Sequence, residues 1–113
     1  MSTTNSDIKS DDHHVKNEFT NDGTLTLTNC DYVGPRILTM IMDYLCRHKG
    51  DIEYINFDGV YLTDEKVDVI CNRVVGTEVK RIRFYNNQLS DKSRQKIKQV
   101  MCTRDGFELT LVR

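Results

Sequence analysis

Four cysteines and three histidines are the side chains of this 113-residue chain best suited to do chemistry, and their spacing comes first. Cys30, Cys46, Cys71 and Cys102 never approach a Cys-x-x-Cys arrangement, so neither a zinc knuckle nor a redox pair is written into them. They read as reduced, mostly buried thiols. His13 and His14 stand beside Asp11 and Asp12, residue types that hold metal ions. They fall in a polar stretch, however, where solvated side chains are the expectation, and no metal or other cofactor is assigned. A nucleophile at Cys30 would need a base, yet His48, the one histidine outside that stretch, falls at the far end of the helix expected after Cys30. There is no His-Glu-x-x-His, no glycine loop to cradle phosphate and no carboxylate pair with a reason to share a pocket. The expectation is a protein that is not an enzyme.

The second chemical feature is positive charge. Between Glu78 and Asp105 the chain carries Lys80, Arg81, Arg83, Lys92, Arg94, Lys96, Lys98 and Arg104 against Glu78, Asp91 and Asp105, a local net charge of +5. Lys92, Arg94, Lys96 and Lys98 lie on the polar side of an amphipathic helical pattern, where basic residues simply face water. No aromatic stacking platform or nucleic-acid motif accompanies them. An acidic protein partner is therefore favoured over RNA or DNA.

Length and composition set the frame for these residues. A chain of this size buries one core without staples. Its 38% hydrophobic and 29% charged residues describe a globular protein with a charged surface. No run approaches the ~20 apolar residues that span a bilayer, and Met1 to Asp12 lacks a basic start followed by an apolar block. A cytoplasmic or nuclear protein with no membrane contact is expected. Residues 1–22 carry two lysines against five acidic residues, and the remainder is mildly basic, so charge marks a boundary. Residues 1–21, with only Ile8, Val15 and Phe19 as sizeable apolar side chains, read as a flexible polar tail. Residues 22–113 read as the folded domain.

Within that domain strands and helices alternate. Thr24 to Asn29 is an alternating run after the Asp22-Gly23 turn. Gly34-Pro35 opens a helix with Leu38, Ile41 and Leu45 on one face, and Gly50 is its expected cap. A strand over Ile52 to Asp58 leads to a helix capped by Thr63 or Asp64, with Val67, Ile70, Cys71 and Val74 inward, ending at Gly76. A strand over Val79 to Tyr85 leads to a helix capped by Ser90 or Asp91, with Ile97, Val100 and Met101 inward, ending at Gly106. Phe107 to Leu111 is a last strand. The anchors Leu25, Ile55, Ile82 and Leu109 are separated by 30, 27 and 27 residues, the length of one strand and one helix. Strand–helix units of constant length predict parallel strands with helices packed behind them.

The pattern apolar-x-x-apolar-x-apolar-x-x-Asn-x-apolar in VKRIRFYNNQL, at Val79, Ile82, Phe84, Asn87 and Leu89, resembles the leucine-rich repeat family. The likeness is to its cytosolic, helix-containing, ribonuclease-inhibitor-like type. Ile52, Ile55, Phe57 and Leu62 match in the unit before, where Val60 replaces the asparagine and predicts a different turn helped by Gly59. Leu25, Leu27 and Cys30 match in the first unit, with Tyr32 at an aliphatic position, and Leu109 and Leu111 begin a truncated fourth. The resemblance implies an α/β solenoid of about three and a half strand–helix units, with a parallel sheet on its concave side and helices on its convex side. A curved, all-parallel sheet with helices on one side only would support it, and a mixed sheet with an antiparallel first strand would sink it. A second, weaker resemblance links INFDGVYLTDEKVDVI to STAS domains, small regulatory α/β modules. There the loop aspartate is followed by a phosphorylated serine or threonine, but here Glu65 follows Asp64.

If the chain is a leucine-rich repeat, the residues between the inward anchors form the exposed sheet face. Among them Tyr54, Asn56, Asp58, Arg81, Arg83, Tyr85 and Glu108 are the expected partner-binding residues, since tyrosine and arginine are frequent binding anchors. Thr24, Thr26, Thr28 and Thr110 complete the face, and a cross-strand pair of Asp58 with Arg83 is expected. The implied function is an intracellular interaction module, adaptor or inhibitor, that binds a protein. With no capping segment after it, the edge strand Phe107 to Leu111 is also a site for self-association.

Overall fold

Leu25, Ile55, Ile82 and Leu109, predicted as equivalent anchors, lie side by side on four neighbouring strands, and Leu27, Phe57, Phe84 and Leu111 form a second such row. The computed structural model describes residues 3–28, 34–48, 50–85, 88–101, 103 and 105–112. Its elements run α1 (Thr3–Phe19), β1 (Thr20–Asn21), β2 (Thr24–Thr28), α2 (Pro35–Arg47), β3 (Tyr54–Asp58), α3 (Asp64–Val74), β4 (Arg81–Tyr85), α4 (Asp91–Met101) and β5 (Glu108–Val112). The strands form one five-stranded sheet in chain order, parallel from β2 to β5.

This order follows from the period. Each strand buries alternate residues on one face, so Leu25, Ile55, Phe57 and Ile82 are 0% exposed while Thr26, Asn56 and Arg83 on the other face are half-exposed. Each helix then returns over the buried face, and neighbouring helices touch in sequence. Leu38, Ile41 and Leu45 of α2, Val67, Ile70, Cys71 and Val74 of α3, and Ile97 and Met101 of α4 join the strand residues in one apolar cluster. Val100, expected inward with them, is only partly buried. Phe57 and Phe84 stack at the centre with ring centroids 5.3 Å apart.

Local signals account for the starts of α2, α3 and α4. Pro35 sits in the first turn of α2. Thr63 caps α3, its hydroxyl accepting from the Lys66 amide at 3.3 Å. Ser90 caps α4, accepting from the Ser93 amide at 3.0 Å. The expected cap at Gly50 and the expected stops at Gly76 and Gly106 are corrected: α2 is capped by His48, α3 by Val75 and α4 ends at Met101, while Gly50 serves the turn beyond α2, at φ +89°. Val60 is buried at 0% exposure where the repeat pattern expects asparagine, and Gly59 before it takes φ +70° and donates to the Tyr85 carbonyl at 2.9 Å. Cys30, Tyr32 and Asn87, the other expected turn anchors, lie outside the described residues, as do Cys102 and Arg104.

Two expectations are corrected at the amino-terminal end. The segment read as a flexible polar tail is helix α1 followed by β1. Val15 of α1 is 0% exposed and Phe19 packs against the same core. Two carboxylates tie the helix to α2: Asp12 accepts from Arg47 Nη2 at 2.6 Å and stands 2.9 Å from His48 Nε2, and Asp11 meets Arg36 at 3.5 Å. The sheet is also mixed rather than all parallel, because β1 runs antiparallel to β2. That pair spans only Thr20–Asn21 and closes through Asp22 and Gly23, both at positive φ.

Candidate functional site

The face of the sheet away from the helices carries three rows of side chains fixed by the strand register. Thr24, Tyr54, Arg81 and Glu108 form the first row, Thr26, Asn56, Arg83 and Thr110 the second, and Thr28, Asp58 and Tyr85 the third. All seven residues expected to bind a partner therefore stand together. Asp58 and Glu108 are exposed, and Tyr54, Asn56, Arg81, Arg83 and Tyr85 are half-buried.

The two arginines occupy different settings. Arg81 lies over the Tyr54 ring, 4.9 Å from its centroid, and its Nε donates to Glu108 Oε2 at 2.9 Å. With side chains 40% and 63% exposed, this ion pair adds at most about 1 kcal/mol, so it orders the arginine without holding the sheet. Arg83 lies over Tyr85, 4.7 Å from the centroid, and its Nη2 donates to the Tyr85 hydroxyl at 2.9 Å. Its neighbours across the strands are the uncharged Asn56 and Thr110. The expected Asp58–Arg83 pair is corrected by the register, which sets Asp58 opposite Tyr85. Among the described residues Arg83 makes no ion pair. Thr26, Asn56, Asp58, Arg83 and Tyr85 line an open depression of about 230 Å³ floored by Phe57.

A second hollow, which the sequence reading missed, lies between α1 and the end of α2. Asp12, His13, Lys16, Tyr44, His48 and Asp51 line about 370 Å³. Tyr44 and His48 stack at 4.3 Å, and Asp51 is 3.5 Å from His48 Nδ1. The hydrogen bond from Arg47 holds the Asp12 carboxyl below the usual carboxylate range, against the opposing effect of burial. Burial pushes the Tyr44 phenol up. The charge that recognises Asp12 comes from α2, more than thirty residues away, and no local spacing announces it. His13 and His14 are exposed, His14 resting edge-on against Phe19 at 5.7 Å, and no group of three or more potential ligands able to hold a metal occurs among the described residues.

The basic residues of α4 do not share the sheet face. Lys96 stands 3.9 Å from Asp68 of α3, and Lys92 and Lys98 are exposed. Between the same helices Asp64 accepts from the hydroxyls of Ser90 and Ser93, each at 2.6 Å, and the Ser90 and Ser93 bonds, in that order, keep its carboxyl below the usual range. No described helix is long and apolar enough to cross a membrane. Comparisons with protein-family models, with curated proteins and with solved structures returned no match.

Proposed function

We propose that this chain is a short leucine-rich-repeat module, intracellular in setting, that binds a protein through the open face of its sheet as an adaptor or inhibitor. The observation that carries the reading is the register: residues chosen only for their place in a repeat, Leu25, Ile55, Ile82 and Leu109, pair in one line across four parallel strands. A face bearing two tyrosines and two stacked arginines presents large, ordered contact groups at little further entropy cost. The antiparallel β1 meets the condition set against the repeat, but only over Thr20–Asn21, before the first unit; β2 to β5 are parallel, and the reading is proposed for those four strands. The same short strand, together with the INFDGVYLTDEKVDVI stretch, favours the STAS-like alternative, a mixed-sheet regulatory module.

The test is partner capture from cell extract, read by mass spectrometry, with wild type beside Arg83→Ala/Tyr85→Ala. The double variant is expected to keep its circular dichroism spectrum and lose the captured protein. Capture at wild-type level would overturn the reading. The outer edge of β5 is the proposed surface for self-association, by strand pairing with a second copy. A sedimentation mass that rises with concentration supports this, and a constant monomer mass refutes it.

A further inference from the structure

We infer that the sheet face recognises an acidic side chain of its protein partner, and that Arg83 in the depression beside Asn56 is the group that receives the carboxylate. The inference rests on the sheet-face reading and names the chemistry of that site. Arg81 already has an anion, Glu108 at 2.9 Å, and a ring beneath it. Arg83, half-buried as a residue, has the ring but only a neutral hydroxyl, so most of its five donors are uncommitted among the described residues. A guanidinium set in place by a ring and one hydrogen bond gains most from a planar acceptor that takes two parallel N–H bonds, which is what a carboxylate offers.

The setting favours a single negative charge on a small group. The depression of about 230 Å³ admits one side chain, and Asn56 and Thr26 at its wall add neutral hydrogen-bonding groups. Asp58 on the same rim would repel a phosphate dianion more strongly than a carboxylate monoanion. The open face as a whole is balanced, Arg81 and Arg83 against Asp58 and Glu108, so selectivity for acid comes from this one position. The lysines of α4 lie outside it.

The experiment is a titration of the isotope-labelled full chain, followed through the Arg83 Nε–H signal and the Asn56 side-chain amide. The probes are the blocked peptide Ac-Gly-Glu-Gly-Glu-Gly-amide, its glutamine counterpart, and inorganic phosphate. Saturable shifts with the glutamate peptide are expected, with the other two probes binding at least about tenfold more weakly. Arg83→Gln is expected to abolish the Asn56 response and Arg81→Gln to retain it. The inference falls if the glutamate peptide gives no saturable shift, if glutamine or phosphate binds equally well, or if the response survives Arg83→Gln or maps to α4. If the peptide fails while Arg83→Ala/Tyr85→Ala still loses the captured partner, the carboxylate assignment falls and the sheet-face reading stands.

Discussion

At the scale of single residues, burial and hydrogen bonding separate groups of the same type. Cys71 is buried in the core, and desolvation pushes its thiol up to about 11, whereas Cys46 is half-exposed near Arg73. Mapping of thiol labelling is expected to find Cys46 modified in the native protein and Cys71 modified only under denaturant; equal rates would contradict the packing of α3. Asp12 offers a pH test. Its folded-state carboxyl titrates below the unfolded value, so its stabilising effect is complete above the ordinary carboxylate range and is lost as pH falls through the lowered value. Asp12→Asn is expected to cost about 1 kcal/mol in denaturant titrations at neutral pH, and the difference should vanish in strong acid. A gap that persists in acid would assign the effect to something other than the ionised carboxylate. The register around Arg83 was legible in the sequence: counting from Ile55 and Ile82 places Asp58 beside Tyr85, and an expected pair with Arg83 overlooked that count.

At the scale of elements, β2 to β5 and α2 to α4 were legible because each repeats its own period, two for strands and near four for helices, and each of these helices has an identifiable start. Helix α1 was not. Its apolar content is too low to signal a buried element, although Ile8, Val15 and Phe19 stand seven and four residues apart, the spacing of one helical stripe. What fixes α1 is tertiary, since Val15 enters the core and Asp12 meets α2. Replacing Val15 with aspartate would put a charge at a fully buried site and remove about 2 kcal/mol of apolar burial. Val15→Asp is therefore expected to release α1, read as lost helical ellipticity and early proteolytic cleavage within residues 3–19, while β2 to β5 stay folded. Unchanged ellipticity would refute the docking of α1. The antiparallel β1 was equally hidden, because two residues carry no alternation.

At the scale of the whole molecule, the two ends of the sheet are finished differently. At one end α1 and β1 close the core, and Leu25 and Leu27 behind them are at most 1% exposed. At the other, Leu109 and Leu111 of β5 are only partly buried. Strands and helices touch mainly their neighbours in chain order, so local stability differs between the two ends of the sheet. Native-state deuterium uptake is expected to be slowest in β2 and β3 and fastest in β5, as the last strand frays without global unfolding. Uniform protection across the sheet would contradict this. Arg83 stands on β4, at the boundary between the two regimes. An occupant of its depression that also rests on Thr110 would therefore slow uptake in β5 and leave β2 unchanged, so binding could be read from the strand least protected without it.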